Sequence, residues 1–420
     1  MKWPPPVRPL VRSLAVALGA RPPEPPSAPP VDATAVTIIV LNWNRRDDTL
    51  ACLDSLAEAS LGGASVMVVD NGSRDGSVEA IRDRHAAVRV LALPENRGYA
   101  GGNNAGIRAA LDAGAGAVLL LNNDTVVAPD FLPPLLEVMN ADPRAAAVSS
   151  AVMRADSPLV LDVAHLDVYF GHGLVHRRGV NALPGEGFDQ VMLVNVGVGC
   201  SLLVRAVALR TVGFFDESYF AYHEEVDWCH RARKAGFHLY YQPFSRVWHH
   251  GSRSTVPLFR VQPEAPGRRE RPQLPNAIPL SWNPVRTYLG ARNAVRFVRR
   301  HGSIVRQAYF VLSSLYAVPL ALLAVVMDRE EDLMLGLWTY RRAFALYCFP
   351  EPAAADGTVG RVFFRLGQAL RLPYRLFWKL PLDIRAAHRA ERTAQLIEHL
   401  RGLRDGVLGR PLPLQRLGLR

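Results

Sequence analysis

From residue 36 onward, short apolar runs alternate with segments of helical periodicity. Four runs are rich in β-branched and aliphatic residues, as buried strands are: VTIIVL (36–41), SVMVVD (65–70), VRVLAL (88–93) and AVLLLN (117–122). Helices are predicted between them, around Leu50, Leu53 and Leu56 and over residues 77–84 and 103–111. This alternation predicts parallel β–α units, and therefore an α/β fold with a mostly parallel sheet covered on both faces.

The pattern is looser after residue 130. Residues 154–190 are rich in Gly, His and Arg and predict loops or a hairpin. Further elements are predicted beyond them: a strand leading into a helix over 195–205, a helix over 224–235, a strand over 237–243 and a helix over 288–300.

Proline-rich stretches divide the chain. RPPEPPSAPP (21–30) predicts a semi-rigid linker, because proline lacks the amide donor and fixes φ. A second stretch, residues 261–276, is rich in Pro and Arg and marks another boundary. We therefore expect four regions: a Pro-rich N-terminal segment (1–35), a main domain (36–253), a Pro/Arg-rich linker (254–280) and a helical, basic C-terminal region (281–420).

Two segments of the C-terminal region have patterns compatible with a membrane. Residues 308–327 are apolar and uncharged, and their length approaches the ~20 residues that span a bilayer. Ser313, Ser314 and Pro319 equally suit a buried or interfacial helix. Residues 361–380 mix Arg and Lys with Phe, Leu and Trp, which is typical of an amphipathic helix at a membrane surface. An ordinary helix packed on the domain is the alternative there.

Composition narrows the partners and the compartment only in part. The 49 Lys and Arg residues against 38 Asp and Glu residues give a net charge of +11, which suits an anionic partner. A nucleotide diphosphate, a membrane surface and a nucleic acid all qualify. None of the four cysteines forms a C-x-x-C pair, which favours a reducing cytoplasm. The apolar run over residues 10–20, interrupted by Arg12, is too short for a signal peptide and suits a short surface helix.

Polar side chains occur where the predicted strands end: Asn42 and Asn44, then Asp70, then Asn122, Asn123 and Asp124. Ligands of parallel α/β sheets bind at this carboxyl edge. Asp70 can accept hydrogen bonds from a base or a ribose, although a plain Asp-Asn-Gly turn has the same sequence. Asp124 offers a hard oxygen ligand to a divalent metal that would bind diphosphate oxygens, and an Asn-rich turn is its alternative.

A Gly-rich stretch, NRGYAGGNNAG (96–106), leads into the third predicted helix. Glycines let a backbone approach a ligand closely, and a helix N-terminus favours phosphate, so this stretch predicts a phosphate-binding turn near Arg97. It is not the dinucleotide-binding fingerprint, which belongs in the first β–α turn. A structural loop is the alternative.

Glu224, Glu225 and Asp227 lie at the start of a predicted helix, where acids also serve as solvated caps. Several aromatic residues precede them: Phe214, Phe215, Tyr219, Phe220 and Tyr222. A carboxylate beside such an apolar wall can act as a general base. Further on, VWHHGS (247–252) ends a strand-like segment, in which His249 or His250 is a candidate metal ligand.

These motifs occur in an order that resembles the family 2 inverting glycosyltransferases of the GT-A fold, and most of all their bacterial rhamnosyltransferase-like branch. The matching segments are VTIIVLNWNR, VVDNGSRDGS, NRGYAGGNNAGI, LLLNNDT and FDESYFAYHEEVDWCHRARKAGF. The resemblance covers residues 36–253, about half of the chain. It implies a nucleotide-diphospho-sugar transferase fold, here with a helical C-terminal extension, and does not identify the sugar.

The resemblance also implies roles for individual residues. The candidate nucleotide- and donor-binding residues are Asn42, Asn44, Asp70, Asn96, Arg97, Asn103, Asn122 and Asn123. Asp124 matches the end of the family's D-x-D metal motif, in which Asn122 replaces the first Asp, and His249 matches a downstream metal-binding histidine. Mg²⁺ or Mn²⁺ is therefore the expected cofactor. Glu224 and Glu225 match the family's Glu-Asp pair, with Glu225 as the expected base and Glu224 as the alternative.

The implied reaction is a single displacement that inverts the anomeric carbon of a sugar donated by a nucleotide diphosphate. The resemblance favours dTDP-rhamnose, with UDP- or GDP-sugars as alternatives, in cell-envelope polysaccharide synthesis. Segments 308–327 and 361–380 favour a glycan or lipid-linked acceptor and a position at the cytoplasmic face of the cell membrane. No nucleic-acid partner is expected. Two rival interpretations are a sugar-phosphate nucleotidyltransferase and a non-catalytic, membrane-associated nucleotide-sugar-binding protein. The first lacks its usual Gly-rich, Lys/Arg-bearing loop after the first strand, and the acidic cluster argues against the second.

Overall fold

The computed structural model of the chain describes residue 25 and residues 28–169, 174–250, 284–312, 314 and 389–419. The chain divides into two compact units. The first falls within Met1–Val168, His176–Ser281 and Pro413–Arg420, and the second within Tyr169–Val175 and Trp282–Leu412.

The first unit is an α/β structure, as the sequence predicts. Its strands are β1 (Val36–Asn42), β2 (Ser65–Asp70), β3 (Arg89–Ala92), β4 (Ala117–Asn122), β5 (Thr125–Val127), β6 (Ala145–Arg154), β7 (Leu161–Val163), β8 (His165–Tyr169), β9 (Leu174–Arg178), β10 (Met192–Leu193), β11 (Ser201–Arg205) and β12 (His238–His249). The last residue of β8 and the first two residues of β9 belong to the second unit. Its helices are α1 (Arg46–Ala57), α2 (Ser77–Arg84), α3 (Gly98–Asp112), α4 (Leu132–Ala141), α5 (Ala206–Val212) and α6 (Glu224–Lys234).

The main sheet has the strand order β10–β12–β6–β11–β4–β1–β2–β3, with β5 added to β12 and β7 to β6. Strands β4, β1, β2 and β3 run parallel, which confirms the β–α units predicted for the first part of the chain. Strand β11 is antiparallel to both β4 and β6, so the sheet is mixed beyond β4. In the register, Asn42 lies opposite Asp70 and Leu41 opposite Asn122, which places these strand ends at one edge.

Strand β6 and helix α4 have no counterpart among the predicted elements. Strand β6 has the sequence AAAVSSAVMR and is buried almost throughout. Alanine and serine carry little intrinsic β signal, and a strand buried on both faces loses the alternation that would reveal it. Its assignment therefore depends on tertiary packing, which a single sequence does not display.

The N-terminal segment contributes to the first unit before β1 begins. The backbone N–H of Val31 donates to Asn140 Oδ1 at 2.8 Å, and Asn140 Nδ2 donates back to the Val31 carbonyl at 3.0 Å. The buried Arg205 donates from Nη1 to the Pro29 carbonyl at 2.6 Å. Packing against the domain thus extends back to residue 28, into the segment predicted as a linker.

The second unit contains α7 (Pro284–His301) and α8 (Arg389–Leu408), which confirms a helical C-terminal extension. Its core includes Val295, Val298 and Phe310, and Tyr288 donates to Asp405 Oδ2 at 2.9 Å. No helix in the part of the chain that the structure describes is both long and apolar enough to cross a bilayer. Most of segment 308–327 and all of segment 361–380 lie outside the described residues.

Candidate active site

One side of the carboxyl edge is held by a network of four amide side chains and one carboxylate, the amide cluster, made of Asn42, Asp70, Asn71, Asn96 and Asn123. Asn42 is fully buried and uses its entire side-chain hydrogen-bonding capacity within the chain. Its Nδ2 donates to Asp70 Oδ1 at 2.7 Å and to Ser73 Oγ at 3.1 Å. Its Oδ1 accepts from Thr49 Oγ1 at 2.8 Å and from Asn123 Nδ2 at 3.2 Å. Asn42 therefore orients its neighbours and has no group left for a ligand.

Asp70 and Asn71 continue the amide cluster into the next turn. Asp70 Oδ2 accepts from the Ser73 backbone N–H at 3.0 Å, so each carboxylate oxygen has one partner and keeps acceptor capacity. Asn71 Nδ2 donates to Asn96 Oδ1 and to the Gly98 carbonyl, both at 3.0 Å. This fixes the turn that follows β2 against the turn that precedes α3.

Asn44 is exposed at the same edge and has φ +52°, a left-handed conformation that Asn tolerates better than most residues. Its Oδ1 accepts from the Arg74 backbone N–H at 2.7 Å, and its own N–H donates to Ser73 Oγ at 2.9 Å. Asn122 is half-buried at the end of β4. Asn123, in contrast, is buried and turned inward, where Nδ2 also donates to Thr49 Oγ1 at 2.9 Å.

The Gly-rich stretch begins α3 at Gly98, five residues before the predicted start at residue 103. Its glycines allow the helix to approach the sheet: a Cβ at Gly102 would lie 2.5 Å from Leu41 Cδ1, and one at Gly106 would lie 2.8 Å from Ile39 Cγ2. The prediction that these glycines make room for a ligand is therefore wrong at these two positions. Backbone donors of the first turn are also used within the chain, since Gly98 N–H donates to Asn96 Oδ1 and Ala100 N–H to the Phe220 carbonyl.

Arg97 and Asn103, predicted near the donor, differ in exposure. Arg97 is exposed, and its Nη2 donates to Glu217 Oε2 at 3.1 Å. Glu217 also receives Arg108 and Asn104, and although burial would raise its pKa, these partners hold the pKa below the usual value. Asn103 is buried and donates to the Tyr99 carbonyl at 3.0 Å.

A second group, the acidic cluster, consists of Asp124, His249, Glu224 and Glu225. Asp124 follows β4 and is 3% exposed, with Oδ1 lying 3.2 Å from Nε2 of His249 at the end of β12. Asp162 Oδ2 lies 3.6 Å from the other ring nitrogen, Nδ1. Burial alone would lower the pKa of His249, but the two carboxylates outweigh it and raise the pKa to about 9. Burial would raise the pKa of Asp162, but His249 and Arg177 lower it to about 2.

The pair Asp124 and His249 suits a divalent cation. His249 Nε2 is buried and has no aligned hydrogen-bond partner, although it faces a carboxylate oxygen at ion-pair distance. A carboxylate oxygen and an imidazole nitrogen converging from two strands are ordinary metal ligands. Within the described ranges no three His, Cys, Asp or Glu side chains form a metal-binding group, so further ligands would have to be substrate oxygens and water.

Glu224 and Glu225 are adjacent carboxyl groups at the start of α6. Burial raises the pKa of Glu224 well above its ordinary value, and the neighbouring Glu225 raises it further. Burial also raises the pKa of Glu225, but hydrogen bonds from the backbone and from Glu224 oppose the rise. Glu224 is 4% exposed and Glu225 is half-buried, and one oxygen of each has no hydrogen-bond partner. Of the two carboxyl groups, Glu224 therefore has the stronger preference for the protonated form.

The backbone leading into this pair is strained. Phe220 has φ 66° and ψ −63°, and the N–H of Ala221 donates to the Tyr219 carbonyl at 2.8 Å, which closes a γ-turn of the rarer hand. Tyr222 and His223 also have positive φ, 68° and 75°. Such conformations cost roughly 1–3 kcal/mol each and concentrate at functional sites. The strain here determines the direction in which α6 begins.

Tyr99, Gly199 and Cys200 connect the two ends of the acidic cluster. The Tyr99 hydroxyl donates to the Gly199 carbonyl at 2.6 Å, and burial followed by the nearby Glu224 and Glu225 raises its pKa. A Cβ at Gly199 would lie 3.6 Å from Glu225 Cγ. Burial raises the pKa of Cys200, and both Asp124 and Glu225 add to the rise. Asp124 and Glu225 are therefore both near Cys200, in the turn before β11.

The sequence does not single out Tyr99, Gly199, Cys200 or Asp162. Gly199 and Cys200 precede a strand that inserts between β4 and β6, so their position depends on topology. Cys52, Cys200 and Cys229 are buried free thiols. His250 is exposed, and its backbone N–H donates to the Asp124 carbonyl at 3.0 Å. Of the two histidines considered as metal ligands, the structure brings the His249 ring to Asp124.

The chain is similar in sequence to known glycosyltransferases. The sequence model of the glycosyl transferase family 2 matches residues 37–182. The chain is similar to an N-acetylglucosaminyl-diphospho-decaprenol L-rhamnosyltransferase of Mycobacterium tuberculosis, with 32% identity over 226 residues that cover 48% of this chain and 72% of that protein. It is also similar to a low-salt glycan biosynthesis hexosyltransferase of Haloferax volcanii, with 28% identity over 49% of this chain and 63% of that protein.

Among solved structures, the chain is similar to a mannosyltransferase from Pyrobaculum calidifontis in complex with GDP-Man and Mn²⁺. It is 19% identical to this chain, with a TM-score of 0.45 and 90% of each chain covered.

Proposed function

We propose that the chain, which belongs to glycosyltransferase family 2, transfers a sugar with inversion from a nucleotide-diphosphate donor to a hydroxyl of a glycan or lipid-linked acceptor. Membership of this family makes it a glycosyltransferase of the GT-A fold and sets aside the nucleotidyltransferase and the non-catalytic binding protein. The observation that supports the assignment of the site is the largely buried pair Glu224–Glu225, whose Glu225 lies close to Gly199 in the turn before β11.

We assign the base to Glu225. A general base must be ionised and accessible, and Glu225 is the more exposed member of the pair and the one whose carboxylate is favoured by its hydrogen bonds. Its carboxylate removes the proton of the acceptor hydroxyl while that oxygen attacks the anomeric carbon from the face opposite the nucleotide. The bond from the anomeric carbon to the diphosphate breaks in the same step, and Glu224 supports the pair by staying protonated.

A divalent cation, Mg²⁺ or Mn²⁺, would be held by Asp124 and His249 and would offset the charge of the departing diphosphate. The support for this assignment is that His249 Nε2 and Asp124 Oδ1, both nearly buried, converge to 3.2 Å without an aligned hydrogen bond. We place the nucleoside near Asp70 and Asn44, since Asp70 keeps acceptor capacity and Asn44 is exposed beside it. Asn42 and Asn123 then act by orienting Asp70 and the turn after β4.

The donor and the acceptor are proposed from the relatives. A rhamnosyltransferase with 32% identity favours dTDP-rhamnose, and its diphospho-decaprenol acceptor favours a lipid-linked acceptor here. Such an acceptor would place the enzyme at the cytoplasmic face of the membrane, in the synthesis of a cell-envelope polysaccharide. We further propose that residues 36–253 form the catalytic domain and that the region from residue 281 mediates membrane contact.

A thermal-shift screen against dTDP-, UDP- and GDP-sugars with Mn²⁺ tests the donor assignment. A true donor present at ~100 times its dissociation constant adds about 2.7 kcal/mol to the stability of the folded state. We expect the largest shift with dTDP-rhamnose and release of dTDP when an acceptor is supplied. Release of pyrophosphate from a nucleoside triphosphate and a sugar phosphate would contradict the proposed reaction.

A further inference from the structure

We propose that Asp162 is a positioning residue that holds the His249 imidazole in the tautomer and orientation required to bind a cation together with Asp124. The inference rests on the metal site proposed above and assigns a role to a residue outside the matched family motifs.

The His249 ring lies between two carboxylates. Its Nε2 is 3.2 Å from Asp124 Oδ1, and its Nδ1 is 3.6 Å from Asp162 Oδ2. The imidazole is 11% exposed and Asp162 is 25% exposed, so water competes little for the side facing Asp124. The two ring nitrogens therefore have different surroundings, one beside the buried Asp124 and one beside the more accessible Asp162.

A neutral imidazole can bind a cation through only one nitrogen, and the other nitrogen then carries the proton. A carboxylate that accepts this second N–H fixes the tautomer and the ring orientation and makes the first nitrogen a better ligand. Asp162 faces Nδ1, so a proton on Nδ1 leaves the lone pair of Nε2 directed toward Asp124. The separation of 3.6 Å is an ion-pair distance that a small rotation of either side chain would shorten to a hydrogen bond.

Paired strands hold His249 and Asp162, and Asp124 lies in the turn directly before the paired strand β5. His249 of β12 lies opposite Thr125 of β5, the residue after Asp124. His249 also pairs with Arg154 of β6, and β6 in turn pairs with β7, which contains Asp162. A sheet fixes such positions more closely than a loop does, which suits a ligand and its supporting carboxylate.

Arg177 leaves the second oxygen of Asp162 for the imidazole. Arg177 Nη2 lies 2.6 Å from Asp162 Oδ1 and also donates to the Asp162 carbonyl at 3.1 Å. Oδ2 is the oxygen that faces His249. Arg177 thus fixes the rotamer of Asp162, and Asp162 fixes the orientation of the His249 ring.

The neighbouring hairpin supplies a matched control. Asp167 forms the same kind of ion pair, with Arg178 Nε 2.7 Å from its Oδ2, and its exposure of 20% is similar. Its other oxygen accepts from Asn195 Nδ2 at 2.9 Å instead of facing an imidazole. Asp167→Asn therefore removes a comparable charge and ion pair without altering the surroundings of His249.

Binding of Mn²⁺ alone to the full-length protein, followed by electron paramagnetic resonance, tests the proposal without reference to activity. The wild-type spectrum should show coupling of the bound ion to one ¹⁴N nucleus, and His249→Ala should abolish that coupling. Asp162→Asn should weaken Mn²⁺ binding by about 10- to 100-fold, the range found when such supporting carboxylates are removed. Asp167→Asn should bind Mn²⁺ as the wild type does.

Each alternative outcome has a distinct meaning. If Asp162→Asn binds Mn²⁺ with wild-type affinity and wild-type ¹⁴N coupling, the role of Asp162 is wrong while the Asp124–His249 site stands. If His249→Ala also retains affinity and coupling, the proposed metal site itself is wrong. Asp162→Glu keeps the carboxylate and should recover part of the affinity, and it serves in place of Asp162→Asn if that variant does not fold.

Discussion

The amide cluster and the acidic cluster differ in how their buried polar atoms are satisfied. Asn42 and Asn71 direct all their side-chain donors to partners within the chain. In the acidic cluster, one oxygen each of Glu224 and Glu225 and the Nε2 of His249 are buried without a hydrogen-bond partner.

An unsatisfied buried polar group costs about 1–3 kcal/mol, so a protein retains it where a ligand or a reaction uses it. The strained residues Phe220, Tyr222 and His223 lie immediately before Glu224, and this strain is a further cost at the same place. The amide cluster, with its paired groups, behaves as a scaffold that fixes the turns. The residues of the amide cluster therefore build the site, and those of the acidic cluster carry out its chemistry.

The sharpest test of this separation compares two acids in the first turns of α6. Glu225→Gln removes the proposed base and should lower kcat by about 10²- to 10⁴-fold while the protein stays folded. Asp227→Asn alters an acid that is already paired, with Arg231 Nε 2.7 Å from Asp227 Oδ2. It should lower stability and leave kcat within a few fold. Rates measured with the donor selected by thermal shift decide the matter, and equal losses of kcat in the two variants would remove the distinction.

Asn42→Ala tests whether the amide cluster is a scaffold that stabilises the fold. It would strip partners from Asp70, Thr49 and Asn123 at once, and we expect a loss of roughly 2–4 kcal/mol in the free energy of unfolding. Urea denaturation of the full-length protein measures this free energy of unfolding. The control is Asn44→Gly, an exposed position with φ +52° that glycine adopts without strain, where the loss should stay below about 1 kcal/mol. Equal losses would mean that the amide cluster is not a scaffold.

The parts of the site that the sequence predicts are those that follow directly from local pattern. Apolar runs that end in polar residues identify Asn42, Asp70 and Asp124 at strand ends, and parallel pairing brings those ends to one edge. The start of α6 and its two glutamates are predicted for the same reason, since an acidic first turn after aromatic residues is a local signal.

What the sequence does not reveal depends on long-range topology. Asp162 lies on a three-residue strand whose pairing with β6 includes an irregular register, and nothing near it in the chain indicates that it will face His249. The glycines of α3 suggest a ligand-binding turn but serve helix–sheet contact at Leu41 and Ile39, because the same lack of a side chain satisfies both needs. Only the structure distinguishes a glycine that approaches a ligand from one that approaches a strand.

The pH dependence of catalysis provides a finer test of the acidic cluster. Burial raises the pKa of Glu225, and only the ionised carboxylate can accept a proton from the acceptor. The rate constant kcat/KM should therefore rise with pH through a value above the ~4.3 of an unperturbed glutamate. Kinetics across this range with saturating Mn²⁺ measure the position of that limb. A limb at the ordinary glutamate value would show that Glu225 is solvated and is not the base.

The smallest expected effect concerns the stability that is lost when the buried pair Glu224–Glu225 ionises. Burial and the neighbouring Glu225 raise the pKa of Glu224 in the folded state, so from the ordinary glutamate pKa up to the raised one the folded state binds more protons than the unfolded state. Stability therefore falls as pH rises through that range.

Glu224→Gln keeps the shape of the side chain and removes its titration. Its melting temperature should therefore exceed that of the wild type by on the order of a few degrees at about pH 8, and by less at about pH 5. Glu79→Gln on α2 is a control for the substitution itself, because Glu79 lies outside the acidic cluster. A melting temperature for Glu224→Gln that stays below wild type at both pH values would mean that the ionised pair stabilises the fold, and the acidic cluster would then resemble the amide cluster after all.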